Sequence, residues 1–378
     1  MNMSELKRGD VKIVDDNPET VLSAMIADYE TRTGKTLQPA HIERLLINTF
    51  AYRETLSRME INEAYRQQHP RFATGQMLDI CGDDVNTPRL EAAPARCTVR
   101  FSASLRGSQT VYVPIGTRIA TGEMVFATVN AVTLTAIRPT ADLQADCEQT
   151  GEVGNGWAVG QINTLLTELP FNTKAVNITI PTGGAETESD DAYRQRILLA
   201  PESFSVAGSV GAYEYWARAV SPAICDVRVD NAKDAQGNLI GGEVEVTVLT
   251  QKGLPPAELL AQVQSALSAE RKRPLCDTVR AKAPAPIDYA LDAVLTLFTS
   301  ADHDSVRASA QASWATYETS RREKLGLDIV PLDIQAVLKV KGVYNVVLNN
   351  LPLRVVQPDQ WARCTSVNIR IDTERADG

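Results

Sequence analysis

Apolar positions change their spacing along this chain. They recur every three to four residues up to about residue 70, every second residue from about 95 to 180, and in alternating blocks of both kinds after that. Asn17-Pro18-Glu19 places a capping side chain, a proline and an acid where a helix begins. Val21, Leu22, Met25, Ile26 and Tyr29 then follow at helical spacing, and Gly34 ends the run. A second helix is predicted from Pro39 toward Gln68. Ile42, Leu45, Thr49, Tyr52, Leu56 and Met59 form its stripe, with Leu46, Phe50 and Ile61 beside or behind it. About 30 helical residues would span about 45 Å. A helix so long, with apolar residues on more than one side, packs against several neighbours. Those neighbours are either the β-rich part that follows or other chains. Gly75 reads as a helix stop, Leu78-Asp79-Ile80 as a tether, and Asp79 with Arg89 as a surface ion pair worth about 0–1 kcal/mol.

Period-two alternation marks Cys97–Phe101, Val111–Val113 and Val176–Ile180, with turns at Pro114–Thr117, Thr121–Glu123 and Gly151–Gly160. The pattern predicts a small antiparallel sandwich or barrel. Thr182 to Ile197 reads as a junction. Gly183-Gly184 gives a flexible joint, Ser189 caps a helix, Asp190 and Asp191 face the helix dipole, and Asp190 precedes Arg194 by one turn. Tyr193, Ile197 and Ala200 share a face, and Pro201 stops the helix.

Helices and strands alternate beyond the junction. Helices are expected at Ser209–Val220 (Tyr213, Trp216, Ala217 and Val220 inward), from Pro255 to Arg271-Lys272-Arg273 (Leu259, Leu260, Val263 and Leu267 inward), at Asp302–Glu323 (Val306, Ala310 and Trp314 inward) and from Pro331. Strands are expected at Ile224–Val229, Glu243–Leu249, Asp277–Val279, Ile287–Phe298, Val343–Leu348 and, at an edge, Ser366–Asp372. Asp230–Gly242 reads as a polar loop at a hairpin tip. The helix–turn–strand runs ending at Val229 and Leu348 echo one another, which suggests two related units, although any helix feeding a strand produces this spacing. The whole reads as an α+β multidomain chain. A helical segment (1–90) precedes a small antiparallel β sandwich or barrel (91–182) and two mixed-sheet α/β units (183–285 and 286–378).

Composition narrows the functions. Hydrophobic residues make up 44% and charged residues 22% of 378, with a net charge of −9, so the chain can bury a sizeable core. No basic block suits a nucleic-acid groove, no apolar run approaches the ~20 residues of a membrane span, and the polar opening Met1–Asp16 is no signal peptide. Synthesis in a cytoplasm is expected. Six cysteines without a CxxC pair read as reduced core thiols. None of the three histidines belongs to HExxH, and no GxSxG elbow is present. Gly154–Gly160 lacks the spacing and the Lys-Ser/Thr of a phosphate loop. Asp230, Asp234, Gln236 and Asn238 lack calcium-loop spacing and a closing glutamate. Catalytic residues, a cofactor and a metal are therefore not expected. A two-carboxylate glycosidase leaves no fixed spacing, but the aromatic platforms it needs are scattered, at Trp157, Trp216, Trp314 and Trp361.

The junction also carries a resemblance. Gly183-Gly184-Ala185, Glu188-Ser189-Asp190, Tyr193-Arg194 and Arg196-Ile197, followed by Pro201 and Ala207-Gly208-Ser209, resemble the baseplate J-like family. So do Leu37–Ile47, Gly75 with Leu78-Asp79 and Arg89–Ala95, Val113–Thr121 with Phe126–Thr128, and Arg273–Val279. The resemblance implies a wedge subunit in the baseplate of a contractile tail, phage or phage-like, in a ring around a central hub and spike. It implies assembly with other copies of itself, other wedge proteins and a sheath-initiating subunit, with rearrangement of these contacts triggering contraction. Residence in a virion or tail-like particle follows, as does an N-terminal helix bundle using Ile42, Leu45, Leu46, Thr49, Tyr52, Leu56 and Met59. A tail-associated polysaccharide-degrading enzyme and a receptor-binding module are the alternatives.

Overall fold

The computed structural model describes residues 7–204, 209–234, 236–268 and 278–377. Ala207-Gly208, the Arg271-Lys272-Arg273 helix end, Cys276 and most of the Arg273–Val279 stretch lie outside the described residues. Two compact units divide the chain. One takes the chain up to Arg89 together with Tyr193–Ala200; the other takes Leu90–Ala192 and the chain from Pro201 onward.

The first unit is helical. Helix α1 (Pro18–Thr33) starts where the sequence places it, because the Asn17 side chain accepts from the backbone N–H groups of Glu19 and Thr20, and it ends at Gly34 with φ 67°. Helix α2 spans Ile42–Gln67. Gly75 is not a stop and Leu78-Asp79-Ile80 is not a tether: Gly75, at φ 51°, opens helix α3 (Gly75–Asp83), and Leu78 is fully buried with Ala73, Cys81, Tyr193 and Ile197. A nine-residue helix flanked by glycine has too few turns to show its period. Asn62, fully buried, straps the irregular start of the chain to α2. Its amide oxygen accepts from Ile13 and Val14 N–H, and its amide nitrogen donates to the Val14 carbonyl.

The second unit begins with strands β1 (Pro94–Ser102), β2 (Thr110–Val113), β3 (Arg118–Thr121), β4 (Met124–Thr128), β5 (Val132–Thr135), β6 (Thr140–Thr150), β7 (Thr164–Leu165) and β8 (Lys174–Asn177). Six of them form one antiparallel sheet in the order β7-β3-β4-β6-β1-β8, curled into a near-closed barrel. Along β1, Ala95, Cys97, Val99 and Phe101 point into the core, as the period of two requires. Outside, Arg96 and Arg100 stand directly opposite Asp146 and Asp142 of β6 and pair with them. Asn177 draws the two end strands together. Its backbone N–H donates to the Ile162 carbonyl and its amide oxygen accepts from Gly160 and Ile162 N–H, while its amide nitrogen donates to the carbonyls of Ala158 and Thr179.

Two mixed sheets follow. After helix α4 (Asp190–Leu199), helix α5 (Val210–Arg218) feeds β9 (Ile224–Lys233), which pairs antiparallel with β10 (Leu239–Thr250); helix α6 (Ala257–Leu267) crosses over to β11 (Thr278–Lys282), parallel to β10. The expected polar loop from Asp230 to Gly242 is mostly strand. Among the described residues, β9 ends at Lys233 and β10 starts at Leu239, and the Asp234 carboxylate accepts from Gln236 and Asn238 N–H. Polar residues can lie on both faces of an exposed two-stranded ribbon, so hydropathy hides such strands. The last sheet sets β12 (Ala285–Phe298) between β13 (Val343–Leu348) and the long edge strand β14 (Gln360–Ala376), with helices α7 (His303–Arg322) and α8 (Pro331–Leu338) between β12 and β13 in the chain. Val306, Ala310 and Trp314 of α7 enter its core with Leu291, Leu295 and Leu338. Both sheets combine one antiparallel with one parallel pairing. Their connections differ, since the central strand comes second in the first sheet and first in the last.

Replacing Asn177 with Leu removes the amide's four hydrogen bonds; Gly160 N–H keeps the residue-177 carbonyl and the Ala158 carbonyl keeps Gln161 N–H, while Ile162 N–H and the Thr179 carbonyl lose their bond to the amide. The variant should lose about 3 kcal/mol, read as a lower denaturation midpoint and faster amide exchange in β8. Burial pushes the Cys97 thiol up to about 12, so its thiolate is scarce at pH 8. Iodoacetamide at that pH should leave Cys97 unmodified in the native chain and label it after unfolding, as peptide mapping would show.

Candidate interface surfaces and the junction motif

Helix α2 buries Ala51, Thr55 and Asn62, which recur on one side of it, and α1 lies against the helix. The side turned away carries the large apolar residues. Exposure is 74% at Ile42, 61% at Leu45, 56% at Leu46, 63% at Tyr52 and 49% at Met59. Thr49 is exposed too, and only Leu56 of the predicted stripe is half-buried. Phe50, at 65%, and Ile61 widen the patch. The stripe read from the sequence is therefore real, and it is the uncovered face of the helix. Its companion α1 is accommodated by small and polar residues instead, which hydropathy alone does not select.

The junction motif does two local jobs, one in each unit. In the second unit, Gly183 takes φ 87°, a conformation disfavoured for side chains with a Cβ. Gly184 is fixed rather than flexible. Its N–H donates to Asn155 Oδ1, its carbonyl accepts from Asn155 Nδ2, and a Cβ there would lie 2.4 Å from the Gly151 carbonyl oxygen. Glu188 is buried, and its carboxylate accepts from Leu90 N–H at 3.1 Å while its own N–H donates to the Leu90 carbonyl. Ser189 Oγ accepts from Ala192 N–H at 3.4 Å, the cap expected for a helix whose first turn holds Asp190 and Asp191.

In the first unit, the other half of α4 is a clamp on loop carbonyls. Tyr193, Ile197 and Ala200 are buried as their shared face predicts, and so is Arg196, which the apolar pattern does not reveal. The Tyr193 hydroxyl donates to the Thr87 carbonyl at 2.8 Å, Arg196 to the Pro88 carbonyl at 2.6 Å, and Arg194 to the carbonyls of Pro70 and Ala73 at 3.0 and 2.8 Å. Arg89 lies over the Tyr193 ring, 4.5 Å from its centroid, and pairs with Asp79 at 2.7 Å. Burial pushes the Tyr193 phenol above its ordinary value, so it remains a hydrogen-bond donor. Gly82 makes room for it, because a Cβ there would sit 1.8 Å from Tyr193 Oη. The Arg–carbonyl pattern was invisible in the sequence; only a buried arginine on an otherwise apolar face could have signalled it, and burial is a tertiary property.

Two hollows among the described residues of the second unit bear on chemistry. One, of about 660 Å³, lies where the barrel meets the α5–β9 and β10–α6 turns, and no tryptophan lines it. The other, of about 370 Å³, holds Asp288 and Asp292. Hydrogen bonding from Arg363 holds Asp288 below the usual carboxylate range, and Asn349 and Arg370 do the same to Asp292. The proton-donating acid of a glycosidase pair needs the opposite shift, a raised carboxyl. Burial raises the Glu214 carboxyl, but Glu214 lines neither hollow.

Tyr193→Phe should remove the hydroxyl's hydrogen bond to the Thr87 carbonyl and cost about 1 kcal/mol, read as faster hydrogen exchange in α3 and at residues 84–88. Gly82→Ala, which collides with the ring, should cost more in the same measurement. Exchange rates unchanged in both variants would rule out the clamp.

Comparison with known proteins places these features. Models of the baseplate J-like N-terminal, barrel, central and C-terminal domains match residues 44–96, 98–184, 205–283 and 289–370 in turn. Baseplate protein J of Escherichia phage P2 is 36% identical over 220 residues, which is 57% of this chain and 70% of that protein. A six-fold symmetrised cryo-electron-microscopy structure of the anti-feeding prophage baseplate aligns with 92% of this chain and 90% of its own, at 14% identity and a TM-score of 0.40. Matched in succession by all four domain models and 36% identical to a baseplate protein J, the chain belongs to the baseplate J-like family.

Proposed function

We propose that this chain is a structural, non-enzymatic component of a contractile-tail baseplate. It works inside a multi-protein complex of a virion or tail-like particle, after synthesis in the bacterial host's cytoplasm. Family membership supports the baseplate role. One observation carries the manner of working: α2 turns its large apolar residues outward and its small ones toward α1. Covering one such side chain contributes roughly 1.5–3 kcal/mol, so the helix gains most when other chains bury the stripe.

In this reading the chain is a wedge subunit of four parts, 1–90, 91–182, 183–285 and 286–378. The first joins a helix bundle with other wedge proteins through Ile42, Leu45, Leu46, Thr49, Tyr52, Leu56 and Met59. The remaining parts meet further copies of the chain, the sheath-initiating subunit and the central hub within a ring. Interfaces between packed surfaces switch between discrete arrangements rather than deforming smoothly, which suits the coupling of baseplate rearrangement to a single sheath contraction.

Leu45→Asp and Met59→Asp test the reading. Both sites are exposed in the lone chain, so its melting should shift by no more than about 0.5 kcal/mol in stability. Recovery of co-expressed baseplate partners with the variant should fall at least about tenfold, the equivalent of 1.4 kcal/mol. Undiminished co-purification would remove α2 from the interface. A large loss of stability in the isolated chain would show that the stripe packs internally.

A further inference from the structure

The family motif leaves Gly183 without a task inside the fold. The residue is exposed at φ 87°, nothing lies within 4 Å of where its Cβ would be, and its N–H and carbonyl make no hydrogen bond with the described residues. It lines the 660 Å³ cleft, a volume within the range of roughly 300–1,000 Å³ for ligand pockets. We propose that this cleft binds a short extended segment of another protein, one that presents a bulky apolar side chain beside a lysine or arginine. The proposal rests on the baseplate reading only in taking the ligand to be a protein segment.

The walls supply the apolar part. Ile180 and Leu254 line the cleft and are 52% and 43% exposed, and Val220 adds to the apolar surface. Pro94, Pro181, Pro222 and Pro256 also line it and add apolar surface without a backbone N–H. Charge supplies the rest. Both cations in the lining are already engaged. Arg96 holds Asp146 with two hydrogen bonds of 2.5 and 2.7 Å, and Lys252 pairs with Glu152 at 2.8 Å. Glu91 and Glu258 have no ion-pair partner within 4 Å among the described residues, Glu258 acting on Arg96 only at longer range. The cleft therefore offers carboxylates and carbonyls to a donor-rich cation, next to apolar surface. At Gly183 the bare backbone can pair with an extended chain, as in recognition by strand addition.

The test uses the full chain with methyl-labelled leucine and valine, titrated with three peptide amides: acetyl-Leu-Arg-Leu, acetyl-Leu-Gln-Leu and acetyl-Leu-Glu-Leu. The arginine peptide should shift the Leu254, Leu259 and Val220 methyl signals and bind at least tenfold tighter than the glutamine peptide, with the glutamate peptide weakest. The double variant Glu91→Lys, Glu258→Lys should lose at least tenfold for the arginine peptide while keeping its melting temperature. Gly183→Val should weaken all three peptides. The proposal is overturned if the three bind alike, if the charge-reversed variant binds the arginine peptide as before, or if these methyls do not move. Equal shifts from free guanidinium would also overturn it, by making the cleft a small-cation site. Because no assembly partner takes part, failure here would leave the α2 interface untouched.

Discussion

The outward apolar face of α2 is the constraint from which the first unit follows. A lone helix with Ile42, Leu45, Phe50 and Tyr52 in water forgoes burial worth on the order of 10 kcal/mol over the stripe. Apolar burial on the opposite face is small: Ala51, Thr55 and Asn62 are the buried residues of α2, and Val21 is that of α1. Polar bonds fasten the start of the chain to α2. Asn62 holds residues 13 and 14, Arg58 the carbonyl of Asp15, and Arg66 that of Val11. The start of the chain is thus tied to one side of α2 by hydrogen bonds, and the large apolar residues on the other side stay exposed.

The same device recurs wherever the chain leaves regular structure. Asn177 satisfies the loop that closes the barrel, Asn155 mimics a strand for Gly184, and Glu188 does so for Leu90. Arg194, Arg196 and Tyr193 terminate loop carbonyls around α3. Buried backbone groups without partners are costly, and each of these side chains meets that demand at a point where no strand or helix can. This gives much of the junction motif a physical meaning: Gly184, Glu188, Ser189, Tyr193, Arg194 and Arg196 serve the backbone.

Electrostatics fits the same picture. The carboxylates that look most enzyme-like, Asp288 and Asp292, are tied to arginine and asparagine across the outer face of the last sheet. Asp142 and Asp146 are held by arginines across the barrel. Such cross-strand pairs favour this register and keep charge on the sheet faces.

Local signals along the chain determined a good deal. The caps at Asn17 and Asp302, the stop at Gly34, the alternation in β1, the strand Val343–Leu348 and the α2 stripe were all legible, because each depends on neighbours within one turn or one strand. Folding in three dimensions decided the rest. It made a helix of Gly75–Asp83, carried β9 and β10 through a polar run, fixed Gly184 and buried Arg196. In each case the partner lies far off in sequence or is a backbone atom, and no local pattern records such a partner. The α2 stripe shows the boundary most plainly. Periodicity found its residues, but whether they face inward or outward depends on what else the chain can bring to that side, and only the packed structure answers that.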